Sequence, residues 1–283
     1  MQSGWYIQGD EASNQSRRSL VYFNILANVA ANLIGGNFFT GLLIVLQADD
    51  AFVGLTTMLI FGGNLLQLLS PYLLERFNRR KPLLIALRVL LHLVNIIFIG
   101  LIPFMPADTQ TRLMFLGFSV FLVNVIGAFL GPGMSVWHIA HIPSSVRVQY
   151  FSVISLLNGV FIAAFNLMGS SVVDLFRQRG SELMGLSALR ILSLLLAVFE
   201  IIMMCRIKEL PPKKQSQRIS LKALFTQPWK HPIYLRSVLV VSLWSVVVNL
   251  PGSFYTVYML RELQVSYSYI MLVSTMNVAV LLS

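Results

Sequence analysis

Charge is scarce in this sequence. Asp, Glu, Lys and Arg make up 11% of its 283 residues, where a soluble domain carries about a quarter. Cysteine is scarcer: the single Cys205 excludes an internal disulfide framework and a multi-thiolate metal site. No nucleotide-binding P-loop, HExxH zinc motif or GxSxG elbow occurs, which leaves an ATP-driven pump and those enzyme classes without support. No catalytic residue, metal or cofactor is therefore expected. Residues Met1 to Ser16 are polar and lack the basic start, short apolar core and cleavage site of a signal peptide. What the chain has in quantity is apolar side chains, 56% of residues, with mean hydropathy +0.74. These are the marks of an all-α polytopic membrane protein. The net charge of +10 would suggest nucleic acid in a soluble chain. Here it fits loops facing anionic lipid, and no nucleic-acid partner is expected.

A membrane span takes about 20 mostly apolar residues. Eight such runs stand out, roughly 19–46, 51–74, 82–104, 112–136, 151–174, 186–205, 237–260 and 265–283. With the amino terminus inside, 15 of the 21 bases fall on inner segments. Arg112, Arg177, Arg179, Arg190 and Arg261 fall on outer segments or outer span ends, and Arg88 lies within a span. The acids lean the other way, with Asp49, Asp50, Asp108, Asp174, Glu182 and Glu262 outside. Short loops rich in Lys and Arg stay in the cytoplasm, which places the chain in the plasma membrane with its amino terminus cytoplasmic. The expected organisation is a tail (1–18), a six-span unit (19–206), a basic cytoplasmic loop (207–236) and two further spans (237–283). In that loop Ser220 is placed to cap a short helix whose Leu221, Leu224 and Phe225 would lie on the membrane surface.

Between spans 2 and 3 the stretch Pro71–Leu83 reads P-Y-L-L-E-R-F-N-R-R-K-P-L. Its knot of Glu75, Arg76, Arg79, Arg80 and Lys81 cannot sit in hydrocarbon and must be a loop. This loop resembles the signature loop between helices 2 and 3 of the major facilitator superfamily, G-x-L-a-D-r-x-G-r-k-x-x-l. Leu73, Glu75, Arg76, Arg79, Arg80 and Leu83 take the matching positions. Pro71 stands for the first Gly, Glu75 for Asp and Asn78 for the second Gly; Asn keeps a left-handed turn open there. The order of six spans, a long basic loop and more spans also resembles that superfamily. The resemblance implies a six-helix amino-terminal bundle plus the start of a second bundle, in a chain that stops after about eight of twelve helices. It also implies a cytoplasmic gate built from Glu75, Arg76, Arg79, Arg80 and the P-x-x-x-R turn of Pro143 and Arg147. Topology signalling by charge alone is an equal reading for the three arginines after Glu75.

Helix breakers recur at Gly35-Gly36 in span 1, Gly131-Pro132-Gly133 in span 4 and Pro251-Gly252 in span 7. Matched interruptions mark cavity-lining helices in inverted-repeat transporters, although Gly and Pro are common in membrane helices anyway. In the superfamily it is helices 1, 4 and 7 that line the central cavity. Span 1 also carries Asn24, Asn28 and Asn32 at a spacing of four, with Asn37, Phe38, Phe39 and Thr40 beyond. Amides facing lipid are costly, so this stripe should face protein or water. It is either a cavity wall that bonds substrate or glue between helices. Asn32, Asn37 and Asn28 are the foremost cavity candidates, followed by Asn124, Asn249 and, as aromatic surface, Phe38.

Arg88 lies six residues past Pro82, and Glu200 six before Arg206, so both sit about 9 Å above the inner boundary at 1.5 Å per residue. An ion pair between spans 3 and 6 is one expectation; separate snorkelling to the headgroups is the other. His92 shares the Arg88 face, and His138 and His141 at the inner end of span 4 read as exposed loop residues. The function expected from all this is alternating-access transport of a small solute across the lipid bilayer, with export of amphipathic compounds as one form of it. A proton is the candidate coupling ion, although spans 1, 4 and 5 show no carboxylate at mid-depth. The rivals are a non-transporting membrane sensor or partner and, further off, a lipid-modifying membrane enzyme.

Overall fold

Capping carboxylates set two of the helix starts. The Asp49 side chain accepts the Phe52 amide at 2.8 Å, and the Asp108 carboxylate accepts the Thr111 amide at 3.1 Å and its hydroxyl at 2.7 Å. Each satisfies amides that a helix start leaves without partners. The Thr111 hydroxyl, above all, holds the Asp108 carboxyl below its usual value. The structure is a computed structural model that describes residues 11–70, 72, 77, 80–209 and 232–282. Its helices are α1 (Glu11–Asn32), α2 (Gly36–Val45), α3 (Asp50–Leu65), α4 (Arg80–His92), α5 (Thr109–His141), α6 (Arg147–Gln178), α7 (Glu182–Arg206), α8 (Pro232–Arg261) and α9 (Tyr267–Leu282). Helix α4 continues through a π turn at Leu93–Phe98 and short turns to Phe104. No strand occurs among the described residues.

Five described segments are long and apolar enough to cross a membrane: Ser13–Val45, Arg80–Phe104, Thr109–His141, Ser144–Gln178 and Glu182–Arg206. Helix α3 has 16 residues, fewer than the about 20 a span takes. After Leu65 the chain tightens into a 3-10 turn, Leu66–Leu69, instead of extending α3. Large apolar side chains stand exposed along the helices, among them Met58 at 71% and Met114 at 69%. An apolar surface of this kind suits hydrocarbon surroundings and not water.

Helix α1 packs against α6 and α7, α3 against α5, and α4 against α5 and α7. Helix α8 meets α2 and α3, and α9 meets α6. We call the end that carries α2 and the α6–α7 and α8–α9 turns the upper end. Its core holds Phe38, Leu42, Leu116, Leu186 and Tyr267. The lower core holds Leu20, Leu84, Trp137, Tyr150 and Met204.

Of the three expected interruptions, one breaks its helix. Gly36 adopts φ +49°, and α1 and α2 part there; a side chain at that φ is disfavoured. Helix α5 runs unbroken through Gly131-Pro132-Gly133, and α8 through Pro251-Gly252. Those two expectations are corrected. Proline removes one amide from the ladder, a loss that a long helix absorbs without parting.

Candidate functional site

The upper end carries a dense set of polar contacts between distant parts of the chain. Asp174, near the end of α6, accepts the amides of Tyr267 and Ser268 at 2.9 and 2.8 Å and the Ser268 hydroxyl at 2.6 Å. It thereby caps the start of α9, where a carboxylate meets the positive end of the helix dipole. Arg177, one turn on, donates to the carbonyls of Leu260 and Val265, at the end of α8 and in the following turn. The Tyr267 hydroxyl donates to Glu182 at 2.6 Å. On the other side of α8, Arg261 donates to Asp50 and to the Ala48 carbonyl, both at 2.8 Å. The α8–α9 turn is thus clasped by α6 and α7 on one side and by the α2–α3 turn on the other.

Beneath this clasp, Asn37 joins three helices. Its Oδ1 accepts the Thr256 hydroxyl at 2.8 Å, and its Nδ2 lies 3.6 Å from the Met271 sulfur. Phe38 is 2% exposed and stacks on Tyr267 with ring centroids 6.1 Å apart. Gly41 leaves the space the phenol occupies; a Cβ there would overlap it. Phe38 therefore offers no open aromatic surface: the close approach of α9 buries it. Asn37 likewise bonds protein in this arrangement.

The lower amides form a ladder. Asn158 of α6 donates to Asn24 Oδ1 at 2.6 Å, Asn28 donates to the Asn24 carbonyl and Oδ1, and Asn32 donates to the Asn28 carbonyl. Asn24 is interhelical glue, whereas Asn32 stays exposed. The Oδ1 atoms of Asn158 and Asn166 are buried with no partner among the described residues. Asn124 turns back to its own helix, donating to the Val120 carbonyl at 2.8 Å. Asn249 falls on α8, and its side chain lies outside those described.

In the lower half Glu200 is 0% exposed and takes two partners from α4: Arg88 Nε at 2.5 Å and His92 Nε2 at 3.0 Å. Arg88 also lies over the Phe23 ring of α1, 6.0 Å from its centroid. Removing such a carboxylate from water is costly, and the two α4 groups offset that cost. The π turn that starts at Leu93 follows directly; within it, the Asn95 carbonyl accepts from Arg190 at 2.8 Å. Arg190, expected at an outer span end, is buried.

At the lower end Arg147 folds back to donate to the Ile142 carbonyl at 3.2 Å, which closes the turn around Pro143. Arg80 opens α4. Glu75, Arg76 and Arg79 lie outside the described residues, as do residues 210–231 with Ser220. Lys81 donates to the carbonyls of Cys205 and Ile207 and so caps the end of α7. His138 and His141 are not exposed loop residues. His138 pairs with the Tyr150 hydroxyl at 3.1 Å, and His141 bridges the Trp137 and Lys208 carbonyls. The helix continues five residues beyond its expected end at 136, about one and a half turns, which brings both rings beside the lower core.

Asp174, Arg177, Glu182, Arg261, Tyr267 and Asn158 escaped the sequence reading as site residues. The signal was there for the charged ones: acids and bases of opposite sign at neighbouring outer span ends. Searches against family models, curated proteins and solved structures match nothing to this chain.

Proposed function

We propose that this chain moves a small solute across a membrane by alternating access, in the manner of the major facilitator carriers its loop resembles. The upper end is the outer face, and the base-rich lower end faces the cytoplasm. The observation that carries the reading is the clasp. Asp174, Arg177 and Glu182 hold the α8–α9 turn from one side while Asp50 and Ala48 hold it from the other. Below it, Ile233 is 80% exposed and Trp244 is 70% exposed, so α8 meets the six-helix unit at its upper end. Contacts concentrated at one end suit a rocking gate: charged bonds to break, with the apolar contact of Val257, Leu260, Tyr267 and Met271 confined to that same end.

Asn28 and Asn32 form the wall of the cavity, and hydrogen bonds without formal charge suit an uncharged or amphipathic solute. Arg88, His92 and Glu200 fasten α4 to α7, so the six-helix unit moves as one body. The test uses Cys205→Ser with a single Asn32→Cys, in right-side-out and inside-out vesicles. An impermeant thiol reagent should label Cys at 32 mainly from the inside. Adding Asp174→Asn should raise labelling from the outside severalfold. Labelling that is equal from both sides, or unchanged by the second substitution, would overturn the proposal.

A further inference from the structure

A groove of about 750 Å³ opens between α1, α6 and α7 in the lower half. Arg18 lies at its lower limit and Val29 at its upper limit on α1; Phe161 and Phe165 of α6 and Phe199 and Met203 of α7 form the other walls. Apart from Arg18 and Tyr22, every lining side chain is apolar. Eleven residues separate Arg18 from Val29, about 16 Å along a helix. One leaflet of hydrocarbon is about 15 Å deep, half of a ~30 Å core. The trench is as long as an acyl chain region is deep.

Its mouth is basic. Arg18, the one charged side chain that lines it, is exposed. Basic pockets between helices on the cytoplasmic side attract the headgroups of anionic lipids, which are concentrated in that leaflet. We propose that this groove binds one anionic phospholipid of the cytoplasmic leaflet, with an acyl chain along Tyr22 to Val29 and the phosphate at Arg18. An arginine is suited to this because its fork of donors matches phosphate oxygens. The choice of leaflet rests on the orientation proposed above. The groove and its basic mouth do not depend on transport.

The test is lipid retention by the purified full chain, read by native mass spectrometry after exchange into mixed phosphatidylglycerol and phosphatidylcholine vesicles and re-extraction. The wild type should keep one phosphatidylglycerol, enriched about fivefold over phosphatidylcholine, the effect of a single arginine near anionic lipid. Arg18→Gln should bring the two lipids to parity. Ile25→Trp should fill the trench and lose the retained lipid of either kind, while Arg112→Gln at the upper end changes neither. Equal retention of the two lipids by the wild type, or an unchanged preference in Arg18→Gln, would refute the site. Should Ile25→Trp fail to fold, the Arg18→Gln comparison decides alone. A negative thiol-labelling result would leave lipid retention as it is, so the two proposals fail separately.

Discussion

Replacing Glu200 disturbs a carboxylate with no exposure at all. It is buried between Arg88 and His92, and deleting one member of a buried ionic set leaves the others desolvated and unpaired. Glu200→Leu should destabilise the folded chain by about 3–5 kcal/mol, read as a lowered melting temperature in detergent. Adding Arg88→Leu should recover part of that loss, since an apolar pair needs no partner. Additive losses would show that the two residues act independently. Asp108 gives a pH signature instead. Its folded value lies below the ordinary 3.8 because the Thr111 hydroxyl and amide bond the carboxylate. The unfolded state therefore binds the proton more readily, and the cap's contribution is complete above that value and lost as pH falls through the lower folded one. The gap in melting temperature between wild type and Asp108→Ala should stay constant from neutral pH down to about 4 and close below it. A gap independent of pH would contradict the cap.

Most helices could be read from hydropathy because the physics of a span is one-dimensional: a run long enough to cross needs no knowledge of its neighbours. Their mutual placement could not. Asp174, Arg177 and Arg261 read as ordinary charges at span ends, and only the fold brings them to the α8–α9 turn. Arg88 and Glu200 were readable as partners from equal depth, but the sequence left snorkelling open and gave His92 no partner. Helix α5 outran its expected end at 136 because Trp137 packs into the lower core and His138 and His141 find hydrogen-bond partners beside it, none of which a local pattern announces. The break after α1 was readable, since two glycines in succession weaken a helix. Gly36→Ala places a side chain at φ +49° and should cost about 1–2 kcal/mol. Gly41→Val meets the Tyr267 phenol and should loosen α9 from α2. Limited proteolysis within the α8–α9 turn should then quicken in Gly41→Val relative to wild type. Equal cleavage rates would remove Gly41 from the account.

At the scale of the molecule, one end is tied and the other is basic. The exposed Cys205 near the end of α7 reports which end faces the cytoplasm without any substitution. An impermeant thiol reagent should modify it in inside-out vesicles and spare it in intact cells; the reverse pattern would invert the topology. The central claim is that the clasp on the α8–α9 turn opens and closes as a gate. The most direct measurement is a spin-label distance between Gln47 and Leu263, taken in a Cys205→Ser background reconstituted in lipid. A single short distance in the wild type should give way to a second, longer population when Asp174→Asn and Arg261→Gln are introduced together. One unchanged distance in both proteins would contradict the gate.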